Sequence, residues 1–179
     1  MSAAPAAPRA PAHRPDPVSV LDRACARLAT GLAWLAGGFL VVATATACLN
    51  MILRASTASL QGTVEIVGFS GAVLTAFSLA LTQRQRGHIA VAIFFKRFGR
   101  RTRRVLDTLT HLASAAFFGL CTLEVGRWGA TLAETGELAE TLRVPYHPVV
   151  WAVAVGCGVM TLTLLVDALK AALGRDEGL

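Results

Sequence analysis

A chain of 179 residues has room for about one domain, yet 54% of this one is hydrophobic, only 16% is charged, and its mean hydropathy is +0.56. A water-soluble domain of this size keeps a large share of its atoms exposed, so an ordinary soluble fold is excluded and the bilayer is the expected solvent. The net charge of +6 sits in short basic clusters between apolar runs, which points to membrane topology and anionic lipid headgroups and away from nucleic acid.

Residues 1–27 open with an Ala- and Pro-rich stretch carrying Arg9, His13, Arg14 and Asp16. That composition buries no core, and the reading is a disordered cytoplasmic tail. The first apolar run begins near Leu28 and is too long for a signal-peptide core, so it is expected to stay as an anchor. A four-helix membrane domain is then expected over 28–170, with a short cytoplasmic tail at 171–179.

Span one, 30–53, has no charged residue and is long enough to cross about 30 Å of hydrocarbon at about 1.5 Å per residue. Span two, 64–81, is near the minimum length and carries Glu65 close to its start. Between spans two and three, 89–98 (IAVAIFFKRF) is apolar but too short to cross. It reads as an amphipathic interfacial segment, with continuation of span two as the alternative, which must accommodate Gly87 mid-helix. Span three, 105–125, contains Asp107, His111 and Glu124. Span four, 149–169, starts just after Pro148, a residue suited to a first helical turn, and carries Asp167 near its far end. The fold class is therefore all-α integral membrane.

Orientation follows from the basic residues of the short connections. The 82–104 connection holds Arg84, Arg86, Lys96, Arg97, Arg100, Arg101, Arg103 and Arg104 with no acid, and Arg23, Arg27, Lys170 and Arg175 flank the outer spans on the same side. This side is expected to be cytoplasmic, with both chain ends there. The 54–63 connection has one basic residue, and 126–147 balances Arg127 and Arg143 against Glu134, Glu137 and Glu140. Both are expected to face outward.

One stretch is more specific. Span one closes on Ile52, Leu53 and Arg54; Gly62, Thr63, Val64 and Glu65 open span two; and Gln83, Arg84, Gln85, Arg86, Gly87, His88, Ile89, Ala90 and Val91 close it. This pattern resembles the DctQ family, the small membrane subunits of tripartite ATP-independent periplasmic (TRAP) transporters. The chain departs from it in having no Trp just before Glu65 and in having Ala92 where an acid often follows the His-Ile-x-Val run. The resemblance implies a noncatalytic, cofactor-free scaffold in a bacterial inner membrane. Its partners would be a large multi-span permease subunit and a periplasmic substrate-binding protein, and its task sodium-coupled uptake of an organic acid or similar solute.

Ionisable groups in spans are functional candidates by default. Glu65 and Glu124 fall near the outward ends of their predicted helices, level with Arg54 and Arg127, which are candidate ion-pair partners. Glu65 is expected to contact Arg54 or a partner helix. Asp107 and His111 share a face at i, i+4, and Asp107 has Arg103 and Arg104 as further candidates. Arg84 and His88 are candidate structural or partner contacts around the turn after span two. Arg86, Lys96, Arg97, Arg100 and Arg101 are candidate lipid-headgroup anchors. No His or Cys lies at metal-ligand spacing from His88. Cys25, Cys48, Cys121 and Cys157 form no CxxC pair and read as small hydrophobes. Trp34, Trp128 and Trp151 read as interfacial anchors.

Small residues in span one (Gly31, Ala33, Ala36, Gly37, Gly38) and span four (Ala152, Ala154, Gly156, Gly158) mark both as candidates for close helix packing. Two other functions are weighed. A self-contained small transporter or channel lacks paired inverted repeats around a midplane site. A four-helix membrane cytochrome needs histidines on facing helices, and only His111 lies well inside a span.

Overall fold

The computed structural model describes residues 17–56, 60–85 and 100–173. Four helices account for nearly all of them: α1 (Pro17–Ala55), α2 (Thr63–Arg84), α3 (Arg100–Thr135) and α4 (His147–Leu173). Each contains a segment long and apolar enough to cross a membrane, namely Val18–Ala55, Thr63–Arg84, Arg104–Thr135 and His147–Leu173. Among the described residues the only β-type pairing is an isolated bridge, Leu138 with Pro145.

Helix α1 begins earlier than composition suggests. Pro17 sits at its first position, where a missing N–H costs nothing, and residues 17–27, read above as part of a tail, are helical. The cause is a stripe at three- and four-residue spacing, Asp22, Cys25, Ala29, Leu32 and Ala36, that turns toward the bundle; Cys25, Ala29 and Ala36 are buried. Helix α3 in turn runs ten residues beyond the expected end of span three and stops at Gly136, whose φ of 66° ends the helix while its N–H still bonds Leu132 O at 3.1 Å.

The helices alternate in direction, so α1 and α3 begin at one end of the bundle, the proximal end, where α2 and α4 finish. Helix α4 is the centre: it packs on α3, α2 and α1, while α1 packs on α2 and makes no substantial contact with α3. Burial follows that order. In the most apolar stretch of each helix, 44% of α4 and 28% of α2 is buried inside the bundle, but only 6% of α1 and of α3. The outer two helices therefore present nearly whole apolar faces to their surroundings.

Helices α2 and α4 approach closely at Gly156. A methyl at Gly156 would lie 2.7 Å from the Ala76 carbonyl oxygen, so the two backbones touch where only glycine fits. The small residues of span four thus do pack tightly. Those of span one mostly do not: Gly31, Gly37 and Gly38 have nothing within 4 Å of where a Cβ would be, and only Ala36 of that group reaches the core formed with Val73, Ala76 and Phe77.

Hydroxyls inside the spans are satisfied by their own helices, which apolar surroundings require. Thr75, Thr82, Thr122, Thr161 and Thr163 each donate to the carbonyl four residues earlier at 2.8–3.0 Å. Among the described residues no buried side-chain polar atom lacks a hydrogen-bond partner.

Candidate functional site

Among the described residues, the bonded carboxylates and ion pairs lie at the two ends of the bundle and in one exposed pair on α3. At the distal end, Glu65 stands in the first turn of α2, just after Gly62, whose φ of 81° turns the chain into the helix. Its carboxylate reaches across to the α3–α4 connection. There Oε1 accepts the Thr141 N–H at 2.8 Å and Oε2 the Leu142 N–H at 2.9 Å.

The connection it holds is itself folded. Ala139 N–H bonds Val144 O at 2.9 Å, Arg143 N–H bonds Ala139 O at 3.0 Å, and Arg143 adopts φ 52°, a left-handed conformation uncommon for a non-glycine residue. Leu142 caps the turn before α2, its side chain filling the space a Cβ at Gly62 would occupy. Tyr146 packs edge-on against Phe69 of α2, with ring centroids 5.4 Å apart.

The expected Glu65–Arg54 ion pair is absent. Both Glu65 oxygens are engaged by backbone N–H groups, and Arg54, exposed in the last turn of α1, has no hydrogen-bond or ion-pair partner among the described residues. The two side chains nevertheless line one shallow notch with Asn50, Leu60, Thr63 and Thr141. Asn50 Oδ1 accepts the Leu60 N–H at 3.0 Å and Thr63 Oγ1 donates to Leu60 O at 2.8 Å, so the α1–α2 turn is also pinned.

At the proximal end, Arg84 joins the bundle. A single oxygen of Asp22, Oδ1, lies 2.9 Å from Arg84 Nη1 and 2.6 Å from Lys170 Nζ, tying α1, α2 and α4 together. Helix α3 is attached differently. Arg104 donates through Nε to Ala171 O at 3.0 Å and through Nη2 to Ala172 O, placing a cation on the unsatisfied carbonyls that end α4. Asp167 faces His111, Lys170, Arg84 and Gln83 just inside this cluster. Sequence reasoning missed Asp22, because the tail composition around it masked the stripe to which it belongs.

The third feature is the pair expected between Glu124 and Arg127. It forms, with Arg127 Nη1 2.9 Å from Glu124 Oε1, on the face of α3 turned away from α4, its side chains 67% and 74% exposed. Glu124 was expected near the outward end of span three. Because α3 continues to Thr135, it lies well inside the helix.

Of the other candidates, His88, Arg86, Lys96, Arg97 and the 89–98 segment lie outside the described residues. Arg100 and Arg101 lie in the first turn of α3, their side chains also outside that set. Among the described residues no three His, Cys, Asp or Glu side chains converge as a metal site would need. Trp151 stacks over Gly129 and lies edge-on to His147, with ring centroids 5.3 Å apart.

The family model described as tripartite ATP-independent periplasmic transporters, DctQ component, matches residues 43–174, from the second half of α1 through α4. No curated protein and no solved structure matches the chain.

Proposed function

The chain belongs to the DctQ family, the small permease components of TRAP transporters, and from that premise we propose that it is the static scaffold for a large multi-span permease subunit. It is a multi-pass membrane protein. The large subunit would carry the solute and sodium sites, a periplasmic substrate-binding protein would deliver an organic acid or similar solute, and the membrane would be the bacterial inner one. The basic residues of the connection between α2 and α3 and of the flanks support a cytoplasmic proximal end under the positive-inside rule.

The observation that supports this reading best is a sealed interior flanked by bare faces. Among the described residues the buried polar ones are Ser70 and Thr163, every buried polar side-chain atom is bonded, and the ends are closed by Glu65 and Asp22. A solute path needs convergent polar groups at mid-depth, whereas a scaffold needs rigidity and free apolar surface, which α1 and α3 supply.

The test is copurification of the tagged chain from native membranes with mass spectrometry. Recovery of one large multi-span permease in stoichiometric amount is expected. A chain recovered alone, monodisperse, and active by itself in liposomes overturns the reading in favour of a self-contained transporter.

A further inference from the structure

The depth of the Glu124–Arg127 pair is fixed by the seam between α3 and α4. Across it a Cβ at Gly158 would meet Thr122, one at Gly119 would meet Thr161, and one at Gly129 would meet Trp151 and Val150. The helices are antiparallel in one continuous register, and Glu124 and Arg127 lie between the Thr122 and Gly129 rungs. Glu124 therefore stands opposite position 156 of α4. At about 1.5 Å per residue that is about 13 Å from the first residue of α4, His147, and about 16 Å from Asp167, its first charged residue. Since a hydrocarbon core is about 30 Å thick, Glu124 is near mid-depth, while Arg127, opposite position 153, is about 9 Å from the level of His147.

It also points outward. Phe117, Leu120, Glu124 and Arg127 follow one another at three- and four-residue spacing along one stripe of α3, and Phe117 and Leu120 are each 62% exposed. A carboxylate facing lipid tails at the depth of Glu124 has no water to solvate it, and its side chain is too short to reach either surface. The Arg127 guanidinium gives one N–H to Glu124 and has four more donors. Such a pair is stable in hydrocarbon only against a surface that supplies polar partners.

We propose that this stripe is a docking seam for a transmembrane helix of the large permease subunit, one that brings hydrogen-bonding or oppositely charged side chains to Glu124 and Arg127. The inference rests on the scaffold reading above and assigns it a face. Helix α1, by contrast, is uncharged over 30–53, as a lipid-facing helix is.

The experiment places a photo-cross-linking benzoylphenylalanine at Leu120, and as control at Leu35 on the bare face of α1, in the tagged chain expressed with the rest of its transporter. Irradiation is expected to yield an adduct with the large subunit from position 120 and none from position 35. An adduct of two copies of this chain, or no adduct from position 120 while the chain still copurifies the large subunit, overturns the seam. A Glu124→Leu/Arg127→Leu double variant gives a second readout. The isolated chain should be as stable as the parent or more so, and recovery of the large subunit should fall roughly tenfold or more. Unchanged recovery refutes the proposal. If the unaltered chain recovers no large subunit, the scaffold reading itself falls, and the seam with it.

Discussion

Glu65 and Leu142 are 77 residues apart in sequence yet joined by a 2.9 Å hydrogen bond from the Leu142 N–H to the Glu65 carboxylate, with the Thr141 N–H on the other oxygen at 2.8 Å. An ionised carboxylate that accepts two backbone donors is a stronger acceptor than a neutral amide, and its two oxygens match two successive N–H groups. The Glu65→Gln variant keeps one acceptor and turns a donor toward the second N–H. Faster hydrogen exchange at Thr141 and Leu142, by roughly tenfold, is expected in that variant, with the helices themselves unchanged. Equal protection in both proteins would show that the connection is held by its own turn and by Tyr146 alone.

Asp22 makes the equivalent closure at the proximal end, with one oxygen shared between Arg84 and Lys170 at side-chain exposures of 25%, 21% and 26%. Removing the carboxylate takes away the shared partner of two partly buried cations and leaves them with Asp167 alone as an acidic neighbour among the described residues. Asp22→Asn is expected to lower stability in detergent by about 1–2 kcal/mol. Adding Lys170→Met to it should return part of that loss by removing one of the stranded charges, and a double variant no more stable than the single would contradict the shared-oxygen arrangement.

How far each of these features was visible beforehand depends on its range. The four spans were legible because an apolar run of twenty or so residues has few other uses. So was the Glu124–Arg127 pair, which is one helical turn long. Depth was not: a hydropathy window ends where glutamate and arginine enter it, so span three stopped at 125, whereas the helix continues to Thr135 because α4 packs along it. Asp22 was lost for a related reason, since the Pro-rich composition before it outweighed a stripe of only a few residues. The partners of Glu65 were illegible in principle, because they are backbone N–H groups of a distant connection that leave no side-chain signature.

Topology has a direct test. Leu138 in the α3–α4 connection and Leu173 at the end of α4 are each about half exposed, at opposite ends of the bundle. In a background with Cys25, Cys48, Cys121 and Cys157 replaced, Leu138→Cys in intact cells freed of their outer membrane should react with a membrane-impermeant maleimide. Leu173→Cys should react only after permeabilisation. The reverse pattern would mean that the basic connection between α2 and α3 does not govern insertion here.

The contact between α2 and α4 makes the sharpest stability prediction. At Gly156 a methyl would be 2.7 Å from the Ala76 carbonyl oxygen and 2.8 Å from Ala76 Cβ, and neither is the end of a flexible side chain, so one helix must move. Gly156→Ala is expected to destabilise the bundle by about 1–3 kcal/mol as overpacking, seen as a lower melting temperature in detergent. Gly31→Ala, on the uncovered face of α1 with nothing within 4 Å, should be neutral or slightly stabilising, since alanine loses less backbone entropy in a helix. The comparison separates close packing from helix propensity, because both variants add the same methyl to the interior of a helix. If the two behaved alike, glycine at position 156 would owe nothing to its contact with Ala76, and the centre of the bundle would have to be held chiefly by the larger side chains around Met160 and Leu164, both of them buried at 2% exposure.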